Sequence, residues 1–297
     1  MTLVYRELGS VGRLGNQLWQ VASTIGLAQG LGEEARFPLW EYAPFFSVPD
    51  EYFVEPSQLA GRDASELLTY MDAHSRLFMQ DYKLIAPVEE TIRAFFRPSE
   101  RARLELEKVE WFHALPRPRL ALHVRRGDLL YQDPVTSSLR SIDYYRRAAA
   151  LHPDDEIVVF SDDIRWCRAH LPAVLPGRKL SFYDGVPRPH ERSRSYRSSP
   201  VLDWVDLQLM ALCEDHVTSN STLAWWGAYL SANPVPIYPS NWFAAAGPGR
   251  PDAALMFPPS WREVDDPTQP LPSKPLWVHL RKVWWTTRWQ LRRFSRQ

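Results

Sequence analysis

The chain has 297 residues, 45% of them hydrophobic, and its 35 basic residues balance its 35 acidic residues. This composition excludes a disordered or collagen-like chain, and the zero net charge gives no global field that favours nucleic acid. Two cysteines, Cys167 and Cys213, are too few for a disulfide framework, so a reduced, cytoplasmic protein is expected. Residues 1–9 lack the apolar core of a signal peptide, and no apolar run approaches the roughly 20 residues that span a bilayer.

Short apolar strand candidates alternate with longer helical patterns, which is typical of α/β domains. A strand is predicted at 3–5, followed by a glycine-containing turn over 9–15. A helix is predicted over 16–31, because its apolar positions recur every three or four residues. A further helical stretch is predicted over 89–115, interrupted near Pro98.

Pro116 and Pro118 form a stiff connector that predicts a domain boundary. Apolar strands are predicted at 120–124 and 157–160, and each leads directly into polar residues. In open parallel sheets, ligands bind at the carboxyl ends of the strands. Later in the chain, helices are predicted over 203–212 and 218–230.

The glycine-containing turn reads Gly-Arg-Leu-Gly-Asn-Gln at 12–17. Its glycines let the backbone approach a ligand, and the helix that follows presents unpaired N–H groups and a partial positive charge. Arg13 and Asn16 add a cation and an amide at the same end. An ordinary glycine turn with an Asn16 helix cap explains the same residues, and both interpretations stay open.

The strand at 120–124 runs into His-Val-Arg-Arg-Gly-Asp at 123–128. Alternation along an extended strand places His123 and Arg125 on one side. Adjacent arginines suit a diphosphate, because a guanidinium donates paired hydrogen bonds to phosphate oxygens. The alternative is a solvated charge pair, in which Asp128 is the salt-bridge partner.

A hydroxyl-rich segment, Thr-Ser-Asn-Ser-Thr at 218–222, precedes an apolar helical run. Considered alone, it is best explained as a helix cap. Combined with the paired arginines and the glycine turn, it is better explained as a neutral phosphate cradle of hydroxyl and backbone donors.

Signatures of nucleophilic and metal-dependent catalysis are missing from the sequence, which contains no G-x-S-x-G, H-E-x-x-H or D-x-D pattern. Asp162 and Asp163 are adjacent, and on a strand they would point to opposite sides. The residues therefore predict metal-free binding of a nucleotide diphosphate, in which arginines and helix dipoles neutralise the leaving group.

Five segments stand in order along residues 3–243: Gly-Arg-Leu-Gly-Asn-Gln at 12–17, His-Val-Arg-Arg-Gly-Asp at 123–128, Phe-Ser-Asp-Asp-Ile-Arg-Trp-Cys at 160–167, Asp-Leu-Gln-Leu-Met-Ala-Leu-Cys at 206–213 and Ser-Asn-Ser-Thr-Leu-Ala-Trp-Trp-Gly-Ala-Tyr-Leu at 219–230. Together they resemble the α-1,2-fucosyltransferases, glycosyltransferase family 11. The segment Phe-Met-Gln-Asp-Tyr-Lys at 78–83 resembles a weaker signature of the same family.

The resemblance implies an α/β, GT-B-like fold with two Rossmann-like domains facing a donor cleft. We expect an N-terminal, acceptor-side α/β domain over 1–116 and a nucleotide-sugar-binding, Rossmann-like domain over 117–260. Residues 261–297 are expected to form a proline-rich linker and a basic amphipathic helix. The implied activity is inverting transfer of L-fucose from GDP-fucose to the 2-hydroxyl of a galactoside in a surface glycan, with no metal or other cofactor.

The resemblance also implies roles for individual side chains. Arg125 would bind the β-phosphate as the main catalytic side chain, with Arg126 supporting it. Apart from the resemblance, Asp128 is the nearest carboxylate in the sequence and therefore the candidate general base, and orienting one of the arginines is its alternative role. The implied donor contacts are Arg13 and Asn16 to the diphosphate and fucose, His123 and Asp206 to guanine, Ser221 and Thr222 to phosphate oxygens, and Asp162 near the nucleoside.

Two other functions stay open at this point. One is a transferase that uses another GDP-deoxyhexose, such as rhamnose. The other is a nucleotide-sugar-binding protein without catalytic activity, which the joint presence of Arg13, Asn16, Arg125 and Ser221 disfavours.

The segment 276–297 carries six basic residues and no acidic residue. On a helical projection its apolar residues form a tryptophan-containing stripe flanked by the cations, a pattern typical of an interfacial membrane helix. We therefore expect peripheral attachment to the inner face of a membrane, close to lipid-linked acceptors. The alternative is a terminal helix docked on the catalytic domains.

Overall fold

Two parallel β-sheets organise the part of the chain that the structure describes. The structure is a computed structural model, and it describes residues 1–115, 119–126, 129, 139–185, 200–232, 235–243 and 253–266. Asp128 and the predicted helix at 276–297 lie outside these ranges, so both stay predictions. Among the helices that the structure describes, none combines the length and apolar character that crossing a membrane requires.

The N-terminal sheet has four parallel strands in the order β3-β2-β1-β4. Its strands are β1 (Thr2–Val4), β2 (Glu34–Pro38), β3 (Phe53–Val54) and β4 (Arg62–Asp63). The glycine-containing turn follows β1 and leads into a long helix, α1 (Leu14–Leu31), which ends at Gly32. Gly32 has a φ of 65°, a left-handed conformation that glycine adopts without a steric cost.

Short helices follow the N-terminal sheet along the chain and precede the second sheet. They are α2 (Ala73–Arg76), α3 (Tyr82–Ile85), α4 (Glu89–Phe95), α5 (Glu100–Leu106) and α6 (Glu110–Ala114). The helical stretch predicted over 89–115 is thus divided twice. The first break is at Pro98 and Ser99, where the Ser99 hydroxyl caps α5 by accepting a hydrogen bond from the backbone N–H of Ala102.

The second sheet has six parallel strands in the order β10-β9-β8-β5-β6-β7. Its strands are β5 (Arg119–Val124), β6 (Glu156–Ser161), β7 (Leu180–Phe182), β8 (Asp215–Val217), β9 (Ile237–Pro239) and β10 (Arg262–Val264). Numbered within this sheet, the order is 3-2-1-4-5-6, as in a dinucleotide-binding Rossmann fold. The strand order reverses between β5 and β8, and that switch point is where such sheets bind ligands.

Four helices accompany the second sheet: α7 (Ile142–Ala149), α8 (Ile164–Val174), α9 (Pro200–Ala211) and α10 (Thr222–Leu230). The helix predicted over 218–230 is wrong at its start, because residues 218–220 lead out of β8 and Ser221 caps the helix. The strands predicted at 120–124 and 157–160 are confirmed, as β5 and β6.

The boundary predicted between residues 260 and 261 cuts through the second sheet. β10 pairs with β9, and Trp261 stacks on Trp225 with ring centroids 5.2 Å apart. Asp266 forms a buried ion pair with Arg140. The short sequence Arg-Glu-Val between prolines lacks the apolar character of a buried strand, because β10 lies at the edge of the sheet.

One hydrophobic core connects the two sheets through α1 and α10. The ring of Trp19 lies 4.3 Å from that of Trp225 and 5.4 Å from that of Trp226, and all three side chains are fully buried. Closer to the helix starts, Gly15 lies against Thr222. The two helices therefore run side by side in the same direction, and both begin at the same place.

Candidate donor site

The site predicted at the end of β5 lies at the switch point of the second sheet. His123 Nδ1 lies 2.8 Å from Ser219 Oγ, in the loop that follows β8. Arg125 Nη1 donates a hydrogen bond of 2.9 Å to the carbonyl oxygen of Asn220 in the same loop. Both contacts join β5 to the loop after β8, so they gather polar groups at the crevice where parallel sheets bind ligands.

His123 is a neutral side chain whose imidazole is affected by two cations. Burial, together with the charges of Arg125 and Arg13, lowers the pKa of its imidazole to about 3. The two guanidinium groups come from different parts of the fold. Arg13 lies between β1 of the N-terminal sheet and α1, and Arg125 follows β5 of the second sheet. The structure therefore brings three of the predicted residues together in an electropositive site.

Arg13 contributes to the site through both its side chain and its backbone. Its carbonyl oxygen accepts hydrogen bonds from the backbone N–H groups of Asn16 and Gln17, which begin α1. Its side chain is exposed, and within the described ranges it forms no hydrogen bond or ion pair. The guanidinium is therefore available to an anionic ligand.

The starts of α1 and α10 add a second source of positive potential. A β-carbon on Gly15 would lie 2.5 Å from the backbone nitrogen of Leu223, so only glycine allows this approach. Neither helix has an acidic residue in its first turn. Parallel helix dipoles side by side repel each other, and an anion at their shared N-terminal end would offset that repulsion.

Asn16 and Thr222 connect the two helix starts. Asn16 Oδ1 accepts a 3.0 Å hydrogen bond from Thr222 Oγ1 and another of 3.0 Å from Gln80 Nε2. The Ser221 hydroxyl accepts a hydrogen bond from the backbone N–H of Ala224, as a helix cap does. The Thr222 hydroxyl thus donates within the protein, whereas the Ser221 hydroxyl accepts in its cap contact and keeps its own O–H as a donor for a ligand.

Arg126 is directed at α8. Asp162 Oδ1 accepts a 2.8 Å hydrogen bond from the backbone N–H of Arg126, and Asp163 Oδ2 lies 3.3 Å from its Nε. The guanidinium also stacks over the ring of Trp166, at 3.9 Å from the ring centroid. Although the two aspartates are adjacent, both contact Arg126, because one binds its backbone and the other its side chain.

Asp206 lies with a different group of side chains. Its Oδ1 accepts a 2.8 Å hydrogen bond from the hydroxyl of Tyr183, whose ring contacts Phe160 at a centroid distance of 5.3 Å. Asp206 is thus placed beside the ends of β6 and β7, whereas His123 contacts the loop after β8.

A cluster that could hold a metal lies at the opposite edge of the second sheet. His152 Nδ1 is 3.4 Å from Asp215 Oδ2 and 3.7 Å from Asp155 Oδ2. Asp215 is the first residue of β8 and Asp155 directly precedes β6, so the cluster lies at the amino ends of the strands. It is therefore separate from the site around His123.

The model of glycosyl transferase family 11 matches residues 91–261, more than half of the chain. The chain belongs to glycosyl transferase family 11. The resemblance to this family is thereby confirmed, with four of the five segments inside the matched range, and the chain is a glycosyltransferase. The matched range of this family-11 chain includes His123, Arg125 and the loop after β8.

Two curated relatives align with this family-11 chain. The O-antigen biosynthesis glycosyltransferase WbnK of Escherichia coli is 29% identical over 133 residues, which cover 42% of this chain and 39% of WbnK. Galactoside alpha-(1,2)-fucosyltransferase 1 of Saimiri sciureus is 27% identical over 293 residues, which cover 88% of this chain and 75% of that protein.

A solved structure has the same fold. A variant of FUT1 from Arabidopsis thaliana, in complex with GDP, aligns with a TM-score of 0.50 and 13% identity, covering 86% of this chain and 74% of that chain. The predicted α/β, GT-B-like fold of this glycosyltransferase is confirmed.

Three residues that organise the site have no assigned role in the sequence-based prediction. Ser219 contacts His123, Trp166 stacks on Arg126 and Gln80 contacts Asn16. Ser219 was part of the hydroxyl-rich segment and Gln80 part of the signature at 78–83, so both segments held a signal. Trp166 lies in the family segment at 160–167, but only the fold shows which arginine it covers.

Proposed function

We propose that this chain transfers L-fucose from GDP-fucose to the 2-hydroxyl of a galactoside, with inversion at the sugar carbon and without a metal. The observation that carries the proposal is the meeting of Arg13, Arg125 and the starts of α1 and α10 at the switch point. A diphosphate there would face two guanidinium groups and two helix N-termini.

The names of the relatives support the choice of sugar and linkage. The Saimiri sciureus relative, which aligns over 88% of this chain, is named as a galactoside alpha-(1,2)-fucosyltransferase. The name of the Escherichia coli relative refers to O-antigen biosynthesis, which supports a surface glycan as the acceptor.

The proposed reaction breaks the bond between the anomeric carbon of fucose and the β-phosphate oxygen. The 2-oxygen of galactose forms the new bond from the opposite face, and its proton passes to a carboxylate base, for which Asp128 is the candidate. Charge grows on the leaving GDP, and Arg125 would stabilise that charge with Arg13 opposite it. These cations supply the neutralisation that a divalent metal provides in other transferases.

His123 suits a role in binding the donor. Because its pKa is low, the imidazole is neutral and adds no charge to the site. Its contact with Ser219 holds the ring, and its other nitrogen could accept or donate a hydrogen bond with guanine. Asp206 would contribute to guanine binding only if its carboxylate also reached the base from beside Tyr183.

A donor panel tests the proposal. Purified protein is incubated with GDP-fucose, GDP-rhamnose or GDP-mannose and with lactose, and the product linkage is determined by NMR spectroscopy. The proposal expects an α-1,2-linked fucosyl product from GDP-fucose alone. Transfer from GDP-rhamnose would support the other deoxyhexose, and GDP-fucose binding without GDP release to any galactoside would support a binding protein.

A further inference from the structure

We propose that Gln80 is a positioning residue that orients the amide of Asn16, so that Asn16 Nδ2 donates to the diphosphate of the bound donor. The inference rests on the proposed function, because it assigns the donor as the ligand of that amide. It concerns the same cleft but a residue 64 positions away along the chain.

The hydrogen bonds of Asn16 determine which way its amide faces. Asn16 Oδ1 accepts from both Gln80 Nε2 and Thr222 Oγ1, at 3.0 Å each. A carbonyl oxygen has two lone pairs, and both are used here. The ligand can therefore be reached only by Nδ2, the donor side of the amide.

The glycine turn shows where Nδ2 lies. A β-carbon built on Gly12 would come 2.9 Å from Asn16 Nδ2 and 2.6 Å from Asn16 Cβ. The amide NH₂ is thus packed against the backbone of the turn that also carries Arg13. A donor nitrogen and an exposed guanidinium at one turn are complementary to phosphate oxygens.

Gln80 directly follows a residue with a strained backbone conformation. Met79 has a φ of 52°, and among the described residues it is the one non-glycine with a positive φ. An unbranched side chain in this conformation persists only where surrounding contacts hold it, and such residues cluster at functional sites. The side chain of Met79 is fully buried, and Gln80 follows it directly.

Polar side chains on the buried face of α1 hold this turn. The carbonyl oxygen of Met79 accepts a 2.7 Å hydrogen bond from Ser23 Oγ, and that of Leu77 accepts one of 2.8 Å from Gln20 Nε2. Gln20 and Ser23 are fully buried, a position where polar side chains persist only with hydrogen-bond partners. Helix α1 therefore contributes its N-terminus to the site and also holds the turn that carries Gln80, which orients Asn16.

A double-mutant cycle tests the inference through the affinity of the full-length protein for GDP, measured by calorimetry. We expect Gln80→Leu to weaken GDP binding roughly three- to tenfold, because the amide loses the bond that orients it. In an Asn16→Leu background, the same Gln80→Leu substitution should change the affinity less than about twofold. Thr222→Val, which removes the other donor to Oδ1, should behave in the same way.

Two further variants separate positioning from folding. Gln80→Glu keeps the size of the side chain but cannot donate when ionised, and its charge repels the diphosphate, so it should weaken GDP binding at least as much as Gln80→Leu. Gln29→Leu, on the exposed C-terminal turn of α1, is the matched control and should bind GDP as the wild type does. Thermal melts of all variants report whether they are folded.

Three outcomes overturn this account at different levels. Wild-type affinity in both Gln80 variants would overturn the positioning role, as would an equal loss from Gln80→Leu with and without Asn16. Failure of the wild-type protein to bind GDP would instead overturn the proposed function on which the inference rests.

Discussion

Gly15 at the start of α1 lies so close to α10 that a β-carbon on Gly15 would come 2.7 Å from Thr222 Oγ1. This close approach brings the positive ends of two helix dipoles together beside Arg13. Because Gly15 has no side chain, the N-terminal turn can contact the hydroxyl-rich segment, which is more than 200 residues further along the chain.

Gly15→Ala should therefore destabilise the protein. The added carbon would come within 2.6 Å of backbone atoms of Thr222 and Leu223, so the two helices would have to move apart. Overpacking of this kind costs about 1–3 kcal/mol, measurable as the free energy of unfolding in urea. Gly30→Ala is the control on the same helix, because nothing lies within 4 Å of its added carbon, and it should be neutral or stabilising. Equal stability of the two variants would contradict the close approach.

Arg126 should contribute to folding stability, although the sequence pairs it with Arg125 as a candidate catalytic residue. Arg126→Ala removes the contact with Asp163 and the stacking on Trp166, which together should cost about 1 kcal/mol of unfolding free energy. The turnover number should fall less than in an Arg125 variant, because the Arg126 guanidinium is directed at α8. Complete loss of transfer with unchanged stability would show that Arg126 acts on the substrate instead.

The local elements and the polar strand ends were predictable from the sequence, because periodicity and glycine placement determine them locally. The contact between Asn16 and Gln80 was not, since it depends on how a turn far along the chain packs on α1. The direction of the Arg126 side chain was not predictable either. Alternation along an extended strand places Arg125 and Arg126 on opposite sides, but it does not show that Arg126 stacks on Trp166. β10 was missed because an edge strand of three residues carries too little apolar pattern.

The charges around His123 can be tested by NMR titration of its imidazole. The pKa of about 3 lies below the ordinary value of 6.5, so the native protein does not take up this proton as the pH falls below about 6.5. The unfolded chain does, and the free energy of unfolding should therefore decrease as the pH falls from 6.5 towards 3. Arg13→Gln should raise the pKa of His123, because a repelling cation is removed. Arg101→Gln, an exposed change on α5, should not. An unchanged pKa in the Arg13 variant would place Arg13 away from the site.

Removal of divalent metals should leave the transfer rate unchanged. Arg13 and Arg125 can neutralise the leaving diphosphate, so the rate of GDP release from GDP-fucose and lactose should be equal with and without EDTA. Loss of activity on chelation, restored by Mn²⁺ or Mg²⁺, would overturn the metal-free mechanism.

The most direct measurement is the initial rate of fucose transfer to lactose by Arg125→Ala. Arg125 donates to the Asn220 carbonyl at the switch point, where it would meet the leaving diphosphate. Its removal should lower the turnover number by about 10²–10³-fold with the fold intact by circular dichroism. Arg101→Ala should retain the wild-type rate. More than about a tenth of the wild-type activity in a folded Arg125→Ala variant, a loss under about 1.4 kcal/mol, would contradict the central role of this arginine.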